Sequence, residues 1–159
     1  MKKIGVIGIG NLLRRDDAIG LILLKKLSER KNELPKDISL IDGGTGGMNL
    51  LHLLAKFDVV IIIDAVNFNG NIGESRLFRL EDIYSKKTPI TISTHESNFL
   101  NIIQLSEELG ERPKLLFVFG VQPKDISHGM NISSELQQKV GFLLDDLKHE
   151  IKTIFESVS

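Results

Sequence analysis

Short apolar runs and longer stretches of spaced apolar positions take turns along the chain. Residues 3–8 are such a run closed by Gly8, and they predict a strand buried on both faces of a parallel sheet. From Asp17 to about Arg30 the apolar positions Ile19, Leu21, Ile22, Leu24 and Leu27 recur at helical spacing, with Lys25, Lys26 and Arg30 at the end that favours cations. Ile38 to Ile41 predicts a second strand, stopped by Asp42-Gly43-Gly44, and a helix follows from about Met48 to Ala55. The run Val59-Val60-Ile61-Ile62-Ile63, set between Asp58 and Asp64, carries only β-branched aliphatics and predicts a central strand. Glu74 to Leu80 alternates loosely and reads as an edge strand. Residues 81–94 carry no readable period. Thr94-His95-Glu96 opens a helix that Gly110 stops, Lys114 to Val121 is another buried strand, and a long final helix is predicted from about Ser133 to Phe155.

Strands alternating with helices predict one domain over residues 1–159, a three-layer α/β/α sandwich around a mostly parallel sheet. At 159 residues the chain is long enough to bury a full core without covalent staples. The 20 basic and 21 acidic residues leave a net charge of −1, which provides no electrostatic footprint for nucleic acid or an anionic membrane. There is no cysteine, so thiolate metal sites, disulfides and cysteine nucleophiles are excluded. No apolar stretch reaches the roughly 20 residues of a membrane span, and the N-terminus lacks the apolar region of a signal peptide. A cytoplasmic protein without membrane insertion is expected.

Ligands of open α/β sheets bind beyond the carboxyl ends of the strands. The polar residues there are Asn11, Asp16 and Asp17, then Asp42, then Asp64 and Asn67, then Thr94, His95 and Glu96, and finally Gln122, Asp125 and His128. Gly8-Ile9-Gly10 begins like a dinucleotide fingerprint, but Leu13 stands where the third glycine belongs, and two aspartates would repel a pyrophosphate. No organic cofactor is expected; the glycines read as makers of a tight turn. GxSxG, HExxH and the phosphate-binding P-loop are all missing from the chain. Asp17, Asp64 and His95 together would form a set able to hold a divalent transition metal with open positions. A plainer reading stands beside it: a first-turn aspartate favours the helix dipole, a strand-end aspartate caps a turn, and a histidine caps a helix. His52 and His149 lie in helical stretches and read as surface or packing residues, and nothing singles out His128.

Five short motifs, in order, resemble those of the hydrogenase maturation endopeptidases. They are the stretch Gly8 to Gly20, Asp42-Gly43-Gly44-Thr45-Gly46-Gly47, Ile63-Asp64-Ala65-Val66, Thr94-His95-Glu96 and Gly120-Val121-Gln122-Pro123. The resemblance implies removal of a C-terminal extension from the large-subunit precursor of a nickel–iron hydrogenase after nickel insertion. It implies that Asp17, Asp64 and His95 contact nickel and carry the catalysis. The nickel is supplied by the precursor, and Asp16 orients or caps as a neighbour. It implies substrate recognition by Asp42, Thr45 and Gly46. It also implies a five-stranded mixed sheet in the order 2-1-3-5-4 with strand 4 antiparallel, and a monomer when free. The family's histidine motif usually continues with glutamine, where this chain has Glu96. A nickel-sensing chaperone that does not cleave is the alternative the same triad allows.

Overall fold

The computed structural model describes residues 2–85, 91–92 and 96–159, without the side chains of 92 and 96–98. The apolar runs become five strands: β1 (Ile4–Gly8), β2 (Ile38–Asp42), β3 (Val59–Asn67), β4 (Ser75–Arg79) and β5 (Leu115–Val121). They lie in the order β2-β1-β3-β5-β4, parallel except for the β4 edge. That is the expected order and the expected antiparallel strand. A sixth, two-residue strand, Thr91–Ile92, pairs antiparallel with the end of β3.

The spaced apolar stretches become α1 (Ile19–Ser28), α2 (Met48–Leu54), α3 (Leu80–Ser85), α4 (Glu96–Glu108), α5 (Ser134–Gln137) and α6 (Val140–Val158). Alternating residues of β3 divide the core between the two faces. Val59, Ile61, Ile63 and Ala65 meet α1 and α6, whereas Val60, Ile62 and Val66 meet α2, α3 and α4. The sheet is therefore covered on both faces, which explains why its central strands read as unbroken hydrophobic runs.

Four boundaries differ from the sequence reading. The first helix begins with a 3₁₀ turn, Arg15–Ala18, before α1 proper. Leu80 starts α3 instead of ending β4, because its side chain is fully buried with Ile83 beside Phe78. The final helix is broken after Gln137: the Lys139 N–H donates to Leu136 O at 2.9 Å, a three-residue turn bond, before α6 resumes. Asp64 does not terminate its strand. β3 continues to Asn67 because Ala65 and Val66 are also fully buried.

Two local devices hold the site in shape. The first is close backbone contact. A Cβ on Gly20 would stand 2.2 Å from both Ile63 O and Ile9 O, and one on Gly8 would stand 2.6 Å from Gly20 O. A Cβ on Gly10 would lie 2.3 Å from Asp17 O. The glycines are therefore more than turn-makers, since they let α1 and its entry turn press onto β1 and β3. Gly20 does the work that the third fingerprint glycine does elsewhere.

The second device is the buried Asp16 carboxylate. Oδ2 accepts the N–H groups of Lys124 (2.8 Å) and Asp125 (3.2 Å) and the Ser133 hydroxyl (2.9 Å), while Oδ1 accepts the Ser133 N–H at 2.6 Å. In return the Asp16 N–H donates to Asp125 O at 2.9 Å. Several donors around one carboxylate make burial of its charge tolerable. They tie the loop after β5 to the turn after β1, in keeping with the expected orienting role of Asp16.

Gly20→Ala forces two backbone carbonyls apart and should lower stability by about 3 kcal/mol, the scale of severe overpacking. Thermal unfolding tests this, with a midpoint lowered by roughly 5–10 °C for a chain of this size; an unshifted midpoint would mean that α1 can lift away freely. Asp16→Ala strips three backbone N–H groups of their acceptor at a cost of about 1–3 kcal/mol each. Amide exchange at Lys124, Asp125 and Ser133 should accelerate far more than exchange in α6.

Candidate active site at the carboxyl ends of the strands

β1 and β3 are adjacent and parallel, with Gly8 beside Ile63, so the residues just past each meet at one edge of the sheet. The Ile9 N–H donates to Ile63 O at 3.0 Å and draws the chain leaving β1 across the end of β3. The 3₁₀ turn Arg15–Ala18 then folds back over that edge. It is held by the Arg14 N–H on Asn11 O (3.1 Å), the Asp17 N–H on Arg14 O (3.0 Å) and the Leu13 N–H on Asn11 Oδ1 (2.9 Å). Consecutive residues of such a turn point about 120° apart. Asp16 accordingly faces the loop after β5, and Asp17 is buried on another side of the turn.

Asp17 is wholly inaccessible to solvent and Asp64 is 1% exposed. Asp64 belongs to the alternate set of β3 that faces the α2–α4 layer. Its Oδ1 accepts the Ala65 N–H at 2.8 Å. Burial, and after it the nearby charge of Asp17, push the Asp64 carboxyl well above the usual carboxylate range, and the Ala65 hydrogen bond opposes this only in part. Burial of Asp64 beside Asp17 therefore favours its protonated form. Asp17 and Asp64 carry the oxygen donors that suit a divalent cation, and such an ion would favour the ionised form of Asp64. Without a cation the site can store a proton on Asp64. Thr94, His95 and the Glu96 side chain lie outside the described residues. Among the described residues no three His, Asp or Glu side chains converge at metal-binding spacing.

The motif after β2 lies alongside. The Gly43 N–H donates to Gly8 O (2.8 Å) and the Gly10 N–H to Gly44 O (2.9 Å), joining this loop to the one that bears Asp17. Gly44 and Gly46 adopt φ of +59° and +78°, which favour glycine. Asp42 Oδ1 accepts the Gly44 N–H at 2.8 Å, so part of its carboxylate shapes the turn. Asp42, Thr45, Met48 and Asn49 line an open cleft of about 520 Å³. Gly46 packs inward, where a Cβ would stand 3.3 Å from Ile9 Cδ1. A larger cavity of about 760 Å³, lined by Asp37, Asp58, Lys114 and Phe155, opens at the opposite end of the sheet, away from these carboxylates.

Gln122 and Ser133 have roles the sequence reading missed. Gln122 Oε1 accepts the N–H groups of Phe68 (2.9 Å) and Gly70 (3.0 Å), and its Nε2 donates to Asn67 Oδ1 at 3.1 Å. It pins the loop after β3 to the end of β5. Ser133 caps α5 while donating its hydroxyl to Asp16. A serine three residues before Leu136 was the available signal for the cap, whereas no local pattern announces the Gln122 contacts. His52 and His149 are exposed, in line with their reading as surface positions, and His128, which no pattern singled out, is exposed as well.

The family model for HycI, hydrogenase maturation protease, matches residues 22–150, which include Asp42, Asp64 and His95 and begin beyond Asp17. The chain is 32% identical over 139 residues to the hydrogenase 2 maturation protease of Escherichia coli (strain K12), covering 87% of this chain and 84% of that relative. It is 31% identical over 124 residues to the hydrogenase expression/formation protein HupD of Bradyrhizobium diazoefficiens; there the match covers 78% of this chain but only 64% of the relative, a little under two thirds of its length. The fold matches that of the hydrogenase maturating endopeptidase HybD from E. coli with a TM-score of 0.78 at 28% identity, covering 95% of this chain and 93% of that one. The chain belongs to the hydrogenase maturation protease family.

Proposed function

We propose that this chain is an endopeptidase that removes the C-terminal extension of a nickel–iron hydrogenase large-subunit precursor, once nickel has been inserted. The observation that carries the reading is the buried pair Asp17 and Asp64 at the carboxyl ends of β1 and β3. In a member of this family, such a pair is best accounted for as a receptor for a cation that arrives from outside. The nickel is then part of the substrate, carried by the precursor, and the protease contributes Asp17, Asp64 and His95 as ligands. Two carboxylates and an imidazole suit divalent nickel. Contact with the cation favours ionised Asp64, reversing the effect of burial.

Cleavage adds water across the scissile peptide, leaving a carboxylate on the mature subunit and an amine on the released extension. An ionised aspartate within reach of that water can take its proton, while nickel, when present, polarises an oxygen bound to it. In this reading the extension is held by Asp42 and Thr45, which line the cleft of the loop after β2, with Gly46 setting the bend of that loop. The same reading makes the protein a cytoplasmic monomer when free. Among the described residues no helix is long and apolar enough to cross a membrane.

Incubation with nickel-loaded and nickel-free precursor, followed by mass spectrometry, tests the activity. Loss of the extension only from the loaded precursor is expected; binding without cleavage would identify a nickel-sensing chaperone instead. Asp17→Asn, Asp64→Asn and His95→Ala should each lower processing at least about a hundredfold, the scale on which proton-transfer groups act, with circular dichroism unchanged. Normal processing by any one of them removes that residue from the site.

The pH dependence of the free protein follows from Asp64. Its folded-state pKa lies above the ordinary value of 3.8, so the folded state binds the proton more tightly than the unfolded chain. The stability this group contributes is complete below that ordinary value and is lost as pH rises through the raised one. Asp64→Asn keeps an acceptor for the Ala65 N–H and removes the penalty. Its melting temperature, measured without metal, should exceed the parent's at pH 7 and converge with it towards pH 4. A lower value at pH 7 would show that the ionised carboxylate stabilises the fold.

A further inference from the structure

Three large apolar side chains stand exposed on the two loops that frame Asp16 and Asp17. Leu12 is 60% exposed, Leu13 61% and Met130 69%. None of the three belongs to either hydrophobic core. Single exposed apolar residues are ordinary, but these three are drawn together by main-chain bonds. The Gly129 N–H donates to Leu13 O at 2.9 Å, and the Arg15 N–H donates to Gly129 O at 3.1 Å. Arg14 Nε reaches Ile126 O at 3.0 Å across the same seam. The Arg15 guanidinium lies over Gly129, where a Cβ would stand 2.6 Å from its Cζ.

The backbone holds these side chains outward at a cost. Among the described residues three non-glycine positions have positive φ, and two of them flank this patch: Arg15 at +44° and Asn131 at +70°. Asparagine tolerates that region, but arginine is strained there. Leu12 and Leu13 precede the positive-φ turn at Arg15 and face solvent, whereas Asp16 and Asp17 follow it and are buried. Apolar clusters held at a functional edge mark contact with another molecule.

We propose that Leu12, Leu13 and Met130 form the platform on which an apolar surface of the precursor docks, next to its nickel-bearing C-terminal segment. The inference rests on the peptidase reading for its choice of partner: the platform adjoins the Asp17 turn, so whatever presents nickel to that turn must cover these side chains too. It adds a specificity surface made by the protease, separate from the metal ligands.

Kinetics with nickel-loaded precursor test it, using Leu13→Asp, Met130→Asp and the double variant, with Leu109→Asp at the far end of α4 as control. A residue that only docks substrate raises KM and leaves kcat alone. The double variant should raise KM about tenfold or more, equivalent to about 1.4 kcal/mol, with kcat unchanged and Leu109→Asp like the parent. Leu13→Ser and Met130→Ser should shift KM in the same direction, and all variants should keep the parent's melting temperature. An unchanged KM, or a fall in kcat alone, overturns the platform. A free protein that sediments as a dimer, and is split by these variants without change in KM, would assign the patch to a second copy and also overturn it. If the parent cleaves nothing, the peptidase reading fails, and the platform is then judged by binding of loaded precursor: about tenfold weaker Kd in the double variant supports it, an equal Kd refutes it.

Discussion

The structure depends on how two adjacent aspartates are both buried in one short turn. A buried carboxylate needs donors, a partner charge or a proton. Asp16 is satisfied by N–H and O–H donors from the loop after β5 and the cap of α5. That clamp fixes the 3₁₀ turn, and the turn in turn presents Asp17 towards Asp64. Charge, loop position and site geometry are thus coupled through one side chain. The site is as much a product of the segment from Gln122 to Ser133 as of the glycine-rich stretch that precedes it.

Close packing of backbone on backbone serves the same end. Gly20 lets α1 descend until its first turn meets the carbonyls of Ile9 and Ile63. Asp17 and Asp64 are both kept from solvent beneath it. Sealing raises the proton affinity of Asp64. In the proposed function, a cation carried by the precursor would favour ionised Asp64, and loaded and unloaded precursor would be told apart in that way.

The exposed rim complements the buried pair. Recognition through a metal alone would accept a nickel ion on many carriers, whereas an apolar platform beside it asks for a particular protein surface. The two loops that carry Leu12, Leu13 and Met130 are those tied together around Asp16, so the proposed platform and the turn that bears Asp17 share one support.

Much of this was legible in the residues. Uninterrupted runs such as Val59 to Ile63 announced a sheet covered on both faces, because burial from two sides removes the polar alternation. The order of the five motifs implied the family, the strand order and the names Asp17 and Asp64, and the turn and strand on which these stand were found. What the residues could not decide is governed by contacts between distant segments. Asp64 looks like a strand end in sequence, yet β3 runs on because Ala65 and Val66 are covered by other elements. Two neighbouring aspartates of identical chemistry have different surroundings, because Lys124, Asp125 and Ser133 reach Asp16 from more than a hundred residues away. Leu12 and Leu13 read as ordinary apolar positions, yet in the fold they stand in solvent just ahead of the positive-φ turn at Arg15. Local pattern determined the elements, their type and the chemical candidates; the tertiary structure decided which candidates are buried, which are already bonded and which face outward, since burial and hydrogen bonding are properties of the assembled surfaces.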